Sequence, residues 1–268
     1  GGPGGAPGGA PGGAPGGPGG APGGAPGPAP GGPSGAPAPG ALGDLSPGAV
    51  GRIPANDFRQ FGQAQVQALA PDQVARLQPD QVEKLPAAAV AGFRPKQVQA
   101  LPPAAFNQLD ARQFGALSPA AVAGISPQQI RRTPPAAMSQ MSSQQVGRLS
   151  ADAMARVNAD QLEAIPAAAF AGLRAAQVEE IPARAFGGLE ADQVGALPAT
   201  AMRGLEPSQL GAMQPRAIGA MSAQQLRQMP AETVAGIKPD QVTALSREVL
   251  GAMKPSQAAE LTPRAVGA

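Results

Sequence analysis

The sequence predicts an all-α solenoid: a superhelix of short helices, one per eight residues, paired in 16-residue units, behind an N-terminal Gly/Pro-rich arm. Three observations carry this reading. Large apolar residues recur with a period of eight across residues 45–268, with no gap or insertion. Proline falls repeatedly at block starts, as at Pro71, Pro79, Pro86, Pro95 and Pro102. Glutamine returns every sixteenth residue from Gln65 to Gln257. A fixed period over this length marks a repeat architecture.

The arm, residues 1–44, comes first. Residues 1–40 contain only Gly, Pro, Ala and one Ser, and the first charged residue is Asp44. Collagen needs Gly at every third position, and here that frame fails at once, at Pro7 and Pro11. With almost nothing to bury, the arm reads as a disordered or extended linker. A second expectation stays open beside it: polyproline II rods, ordered when many copies lie side by side.

The repeats follow as 28 blocks of eight, from Leu45 to Ala268, with positions labelled a to h. Position a is large and apolar in every block except at Thr133, and position f is apolar throughout, with Ala258 the smallest. Apolar spacing therefore alternates five and three. A strand needs a spacing of two. One long helix fails as well, because eight residues rotate an α-helix by about 800° and the stripe would drift by roughly 80° per block. Interior prolines would also break it.

One short helix per block remains, and the local chemistry supports it. In the stretch Ser118–Ile125, Ser118 is a good N-cap and Pro119 occupies the first helical position, where its missing N–H costs nothing. Ser126 and Ser142 each precede a Gln by three residues, the capping-box spacing. Helices this short do not stand alone, so each must lean on its neighbours.

Position e alternates. It is Gln at sixteen-residue steps and mostly Ala between, as at Ala89, Ala121, Ala153 and Ala185. This predicts helix pairs as layers, about fourteen of them, in a rod on the order of 110–140 Å long at 8–10 Å between helices. The Gln file is expected to be structural: one amide per layer can bond helix-end N–H or C=O groups of a neighbouring layer.

Runs such as Leu77-Gln-Pro-Asp-Gln-Val-Glu-Lys-Leu85 and Ile237-Lys-Pro-Asp-Gln-Val-Thr-Ala-Leu245 resemble the tandem octads of the mesothelin/stereocilin family. The resemblance covers residues 45–268 at positions a, c, e and f. It implies a superhelical α-solenoid at the cell surface, acting in adhesion and matrix attachment.

Chemistry is sparse. The chain has no Cys, His, Trp or Tyr, and charged residues make up 14%. That removes disulfides, thiolate sites and the commonest metal ligand and general base. No catalytic, cofactor-binding or metal-binding residues are expected. Asp72, Asp80, Asp160, Asp192 and Asp240 recur at position d, where a first-turn carboxylate complements the helix dipole. Arg131-Arg132 is the one adjacent basic pair in the octads, and no Tyr or Trp is there to stack on bases, so nucleic-acid binding is not expected. Met213, Met221 and Met229 occupy position a and read as core.

No apolar run approaches a membrane span. The chain opens on Gly1, with no signal-peptide pattern, and reads as a processed product or a piece of something longer. The expected function is non-enzymatic: a subunit of an extracellular fibre, filament or surface assembly, its main partner another copy of itself. The alternative is an adhesin or scaffold that binds cell-surface or matrix proteins. An exported bacterial repeat protein fits the missing cysteines, and a cytosolic one fits them nearly as well.

Overall fold

A computed structural model describes residues 1 and 37–261. The expectations for the rest of the arm lie outside the described residues. Among the latter there are 28 helices and no strand; 23 are α-helices and five are 3₁₀. The helices are four to six residues long and follow the eight-residue frame.

Each block is built in the same way. In the block that starts at Leu77, Gln78 is extended (φ −86°, ψ 156°) and Pro79–Glu83 is helical. A residue before proline is pushed towards extended backbone, so Pro at position c sets the conformation of b. Where proline stands at b, it acts on a: Ile165, before Pro166, has φ −70° and ψ 128°. The helix closes with the next block's a N–H donating to the f carbonyl, as Leu77 N does to Val74 O at 3.1 Å. Two extended residues then carry the chain into a new direction. All five 3₁₀ segments, such as Ala167–Gly172, follow a proline at b. That proline offers no side-chain cap, and the first turn tightens to i→i+3 bonds such as Ala169 N to Pro166 O at 2.8 Å. The helices Ala87–Val90, Pro103–Phe106 and Ala231–Val234 also follow Pro at b yet stay α-helical, so proline permits the tighter form without dictating it.

The expected caps are present. Ser118, Ser126 and Ser142 accept from the backbone N–H three residues on, at 3.1, 3.3 and 3.3 Å. Gln129 and Gln145 complete the box by accepting from the Ser126 and Ser142 N–H groups.

The layering differs from the sequence expectation. Main helix–helix contacts join elements three blocks, or 24 residues, apart, as Ala111–Ala116 packs on Pro135–Gln140 and Ala159–Ala164 on Ala183–Gly188. The chain is thus a triangular coil with three helices per turn. It is not a stack of 16-residue pairs. The physical reason lies at the corner. Two extended residues redirect the chain by about a third of a turn, too little to fold one helix back against its predecessor. Three corners bring the chain above its starting point. The 28 helices then make just over nine layers, roughly 75–95 Å at 8–10 Å per layer, so the 110–140 Å estimate is too long.

A second difference lies at the arm. Pro39–Gly43 is helical and Leu42 is fully buried. Residues 37–44 form a block in the same frame, so the array includes the octad before Leu45. Within the coil, a and f point inward as expected, including Met213, Met221 and Met229. Position e joins them: Gln and Ala alike are buried there from Gln73 to Gln225. Thr133, the polar residue at a, is buried with its hydroxyl donating to Gln129 O at 2.9 Å.

Candidate functional site

Two features could carry function: the internal file of glutamines and the outer edges of the coil. The first is structural. Gln161 is representative. Its Nε2 donates to Ile130 O at 2.8 Å and to Thr133 O at 2.6 Å, in the turn beneath. Its Oε1 accepts from Asn158 N at 3.0 Å, in its own corner. One amide therefore joins two stacked corners. Thr133 is the extended residue at a, whose carbonyl points out of the helical ladder, and a buried carbonyl needs such a partner. Gln73, outside the sixteen-residue series, clamps in the same way onto Leu42 O and Leu45 O. Thr233 stands where a Gln or Ala would otherwise be, and its hydroxyl takes the Leu205 carbonyl at 2.6 Å. From Gln73 to Gln257 the amides of this file are taken by backbone partners.

A 16-residue alternation on a 24-residue turn has a definite consequence. Along each corner column from Gln81, Ala89 and Gln97 as far as Gln225, Gln and Ala alternate, as in Gln113, Ala137, Gln161, Ala185 and Gln209. Ala corners are held by close backbone approach. A Cβ on Gly124 would lie 2.1 Å from Pro95 O, and one on Gly172 would lie 1.8 Å from Ser143 O. Clamped and close-packed corners thus share the load evenly around the coil.

The outer surface is formed by positions b, c, d, g and h. The carboxylates of Asp72, Asp80, Asp160, Asp192 and Asp240 sit in first helical turns, as expected. Among the described residues, no three acidic side chains gather into a metal-binding group, and no helix is long and apolar enough to cross a membrane. The depressions are open and shallow. One of about 650 Å³ lies beside Ser126, Gln128, Arg131 and Arg156. Another, of about 790 Å³, lies beside Leu69, Pro71, Arg94 and Lys96.

The three edges, each made by positions g and h, are equivalent in backbone but not in chemistry. Sixteen charged residues occupy g or h between residues 37 and 261, and ten lie on one edge. In chain order that edge carries Arg59, Glu83 with Lys84, Arg131 with Arg132, Arg156, Glu179 with Glu180, Arg203 and Arg227. The other two edges have three charges each and are mainly Gly and Ala. The layer at Asn107 and Gln108 carries no charge, and the last layers of this edge are linked to one another. Arg203 Nη2 donates to Gln228 Oε1 at 2.7 Å in the next turn, and Arg227 Nε donates to Ala252 O at 3.2 Å. Sequence reasoning noted Arg131-Arg132 but missed the edge, because a 24-residue period appears only once the turn is known.

No protein-family model and no curated protein sequence matches this chain. Among solved structures, the leucine-rich repeat-containing protein LegL7 from Legionella pneumophila is similar at 13% identity over 81% of each chain, with a TM-score of 0.15. A superposition that poor carries no argument about fold or function. What stands from the structure itself is an all-helical repeat solenoid.

Proposed function

We propose that this protein is a non-enzymatic structural rod: a repeat scaffold that holds its ends apart and self-associates along its length, as a subunit of an exported, extracellular fibre or surface assembly. One observation supports this above the rest. Thirteen buried glutamines, from Gln73 to Gln257, each bridge adjacent turns through two carbonyls of the turn beneath. Such regular cross-bracing stiffens a one-dimensional stack and supplies no reactive group. Small-angle scattering tests the rod. Inserting 24 residues as one further turn should lengthen the particle by about 8–10 Å, and an unchanged length would refute it. Negative-stain microscopy tests the assembly: ordered filaments or sheets are expected. Dispersed rods that bind a matrix protein would instead favour the adhesin reading, for which the charged edge is the supporting feature.

A further inference from the structure

The charged edge has a self-complementary order at its centre. Its middle layer is Ala155-Arg156. One layer towards the N-terminus lie Arg131 and Arg132; one layer towards the C-terminus lie Glu179 and Glu180. Three layers out, Glu83 stands on one side and Arg227 on the other. Arg131, Arg132, Glu179 and Glu180 are all exposed. None of the four has an ion-pair partner within the chain among the described residues.

We infer that this edge is a docking surface for a second copy of the chain, laid antiparallel, with the twofold axis at Ala155. The inference rests on the self-association proposed above and adds its surface and orientation. A twofold axis there brings Arg131 and Arg132 of each copy opposite Glu179 and Glu180 of the other. It also sets each Glu83, which already holds Lys84 at 2.7 Å, opposite Arg227. Every contact off the axis then occurs twice, as an isologous interface requires, and at the axis Arg156 of one copy lies beside Arg156 of the other. A parallel pairing shifted by two layers places the arginine pair against the glutamate pair only once. The edge carries seven basic and three acidic residues, but at its centre an acidic polymer would gain from Arg131 and Arg132 and be repelled at Glu179 and Glu180, and a basic one would meet the reverse. The arginine pair and the glutamate pair that flank the axis therefore select another copy of the same edge, while Arg203 faces the uncharged Asn107 and Gln108. Octad packing does not impose this charge order, since the other two edges form the same corners with Gly and Ala.

The test uses the full chain. Sedimentation velocity should show a dimer at low ionic strength that weakens about tenfold in 0.5 M salt, as exposed charge pairs are screened. The double variants R131E/R132E and E179R/E180R should each lose self-association. Mixed together they should form a heterodimer, because every reversed charge then meets its opposite. Since the chain has no cysteine, A155C should oxidise to a disulfide-linked dimer across the axis. A91C and A123C, on the other two edges, should crosslink far more slowly. Wild-type self-association that is untouched by both charge reversals, or A123C crosslinking as fast as A155C, would overturn this surface while leaving the self-association reading intact. A wild-type chain that stays monomeric at every concentration would sink both.

Discussion

Replacing Gln161 by Leu tests the amide clamp most directly. The side chain is 1% exposed, and Leu has a similar volume, so the change removes polarity with little cavity. Three hydrogen bonds go: those to Ile130 O and Thr133 O, and the one from Asn158 N. Their partners do not suffer equally. Ile130 O keeps the Thr133 N–H at 3.0 Å. Thr133 O loses the amide in a buried corner. The Asn158 N–H belongs to an exposed residue, where water can replace part of the loss. An orphaned buried group costs about 1–3 kcal/mol. Counting Thr133 O in full and Asn158 N at a discount, the expected destabilisation is about 2–4 kcal/mol. Urea unfolding followed by far-ultraviolet circular dichroism measures it, because the chain has no Trp or Tyr for fluorescence. Gln128→Leu, at an exposed site in a neighbouring turn, is the control and should stay within about 0.5 kcal/mol. Equal effects of the two substitutions would refute the clamp.

Further predictions follow from the same corners. Gly172→Ala drives a Cβ to 1.8 Å from Ser143 O and should cost about 1–3 kcal/mol in unfolding free energy. Gly195→Ala, inside the helix Ala191–Ala196 with its nearest contact at 3.8 Å, should stabilise by up to about 1 kcal/mol in the same assay. Phe106→Ala removes a 1%-exposed ring in edge-to-face contact with Phe114 at 5.7 Å and should cost about 3–5 kcal/mol, read from the urea midpoint. Gln161→Glu places a carboxylate against the Ile130 and Thr133 carbonyls, which favours the neutral acid and raises its folded-state pKa above about 4.3. Relative to wild type, its stability should be best below that pH and fall as pH rises, by about 1.4 kcal/mol per unit until the folded-state value is passed. A pH-independent difference between the two proteins would contradict this.

Much of the local structure was legible. Ser118 and Pro119 announce a helix start because their requirements at an N-terminus are local. Positions a and f announce the core because burial of large apolar side chains is periodic. The structural role of the Gln file was legible too, since an amide among small apolar residues has backbone groups as its available partners. The turn of the coil was not. The Gln/Ala alternation suggested two helices per layer, whereas it records which corners are clamped and which, like that at Gly172, are packed by close approach. The block at residues 37–44 was hidden because Pro37 replaces the large apolar residue at a, leaving Leu42 as its one anchor. The charged edge was invisible for a related reason: Arg131 and Glu179 are 48 residues apart, and nothing local relates them.

Sequence alone determined the eight-residue unit, the sites of its caps and prolines, and the inward positions a and f. Each depends on interactions within one block, or on a side chain's preference to leave water. Tertiary structure decided how many blocks close a turn, what each glutamine reaches, and which surface residues share an edge. Those depend on a small redirection at each extended corner, summed over three corners, and no single residue specifies that sum.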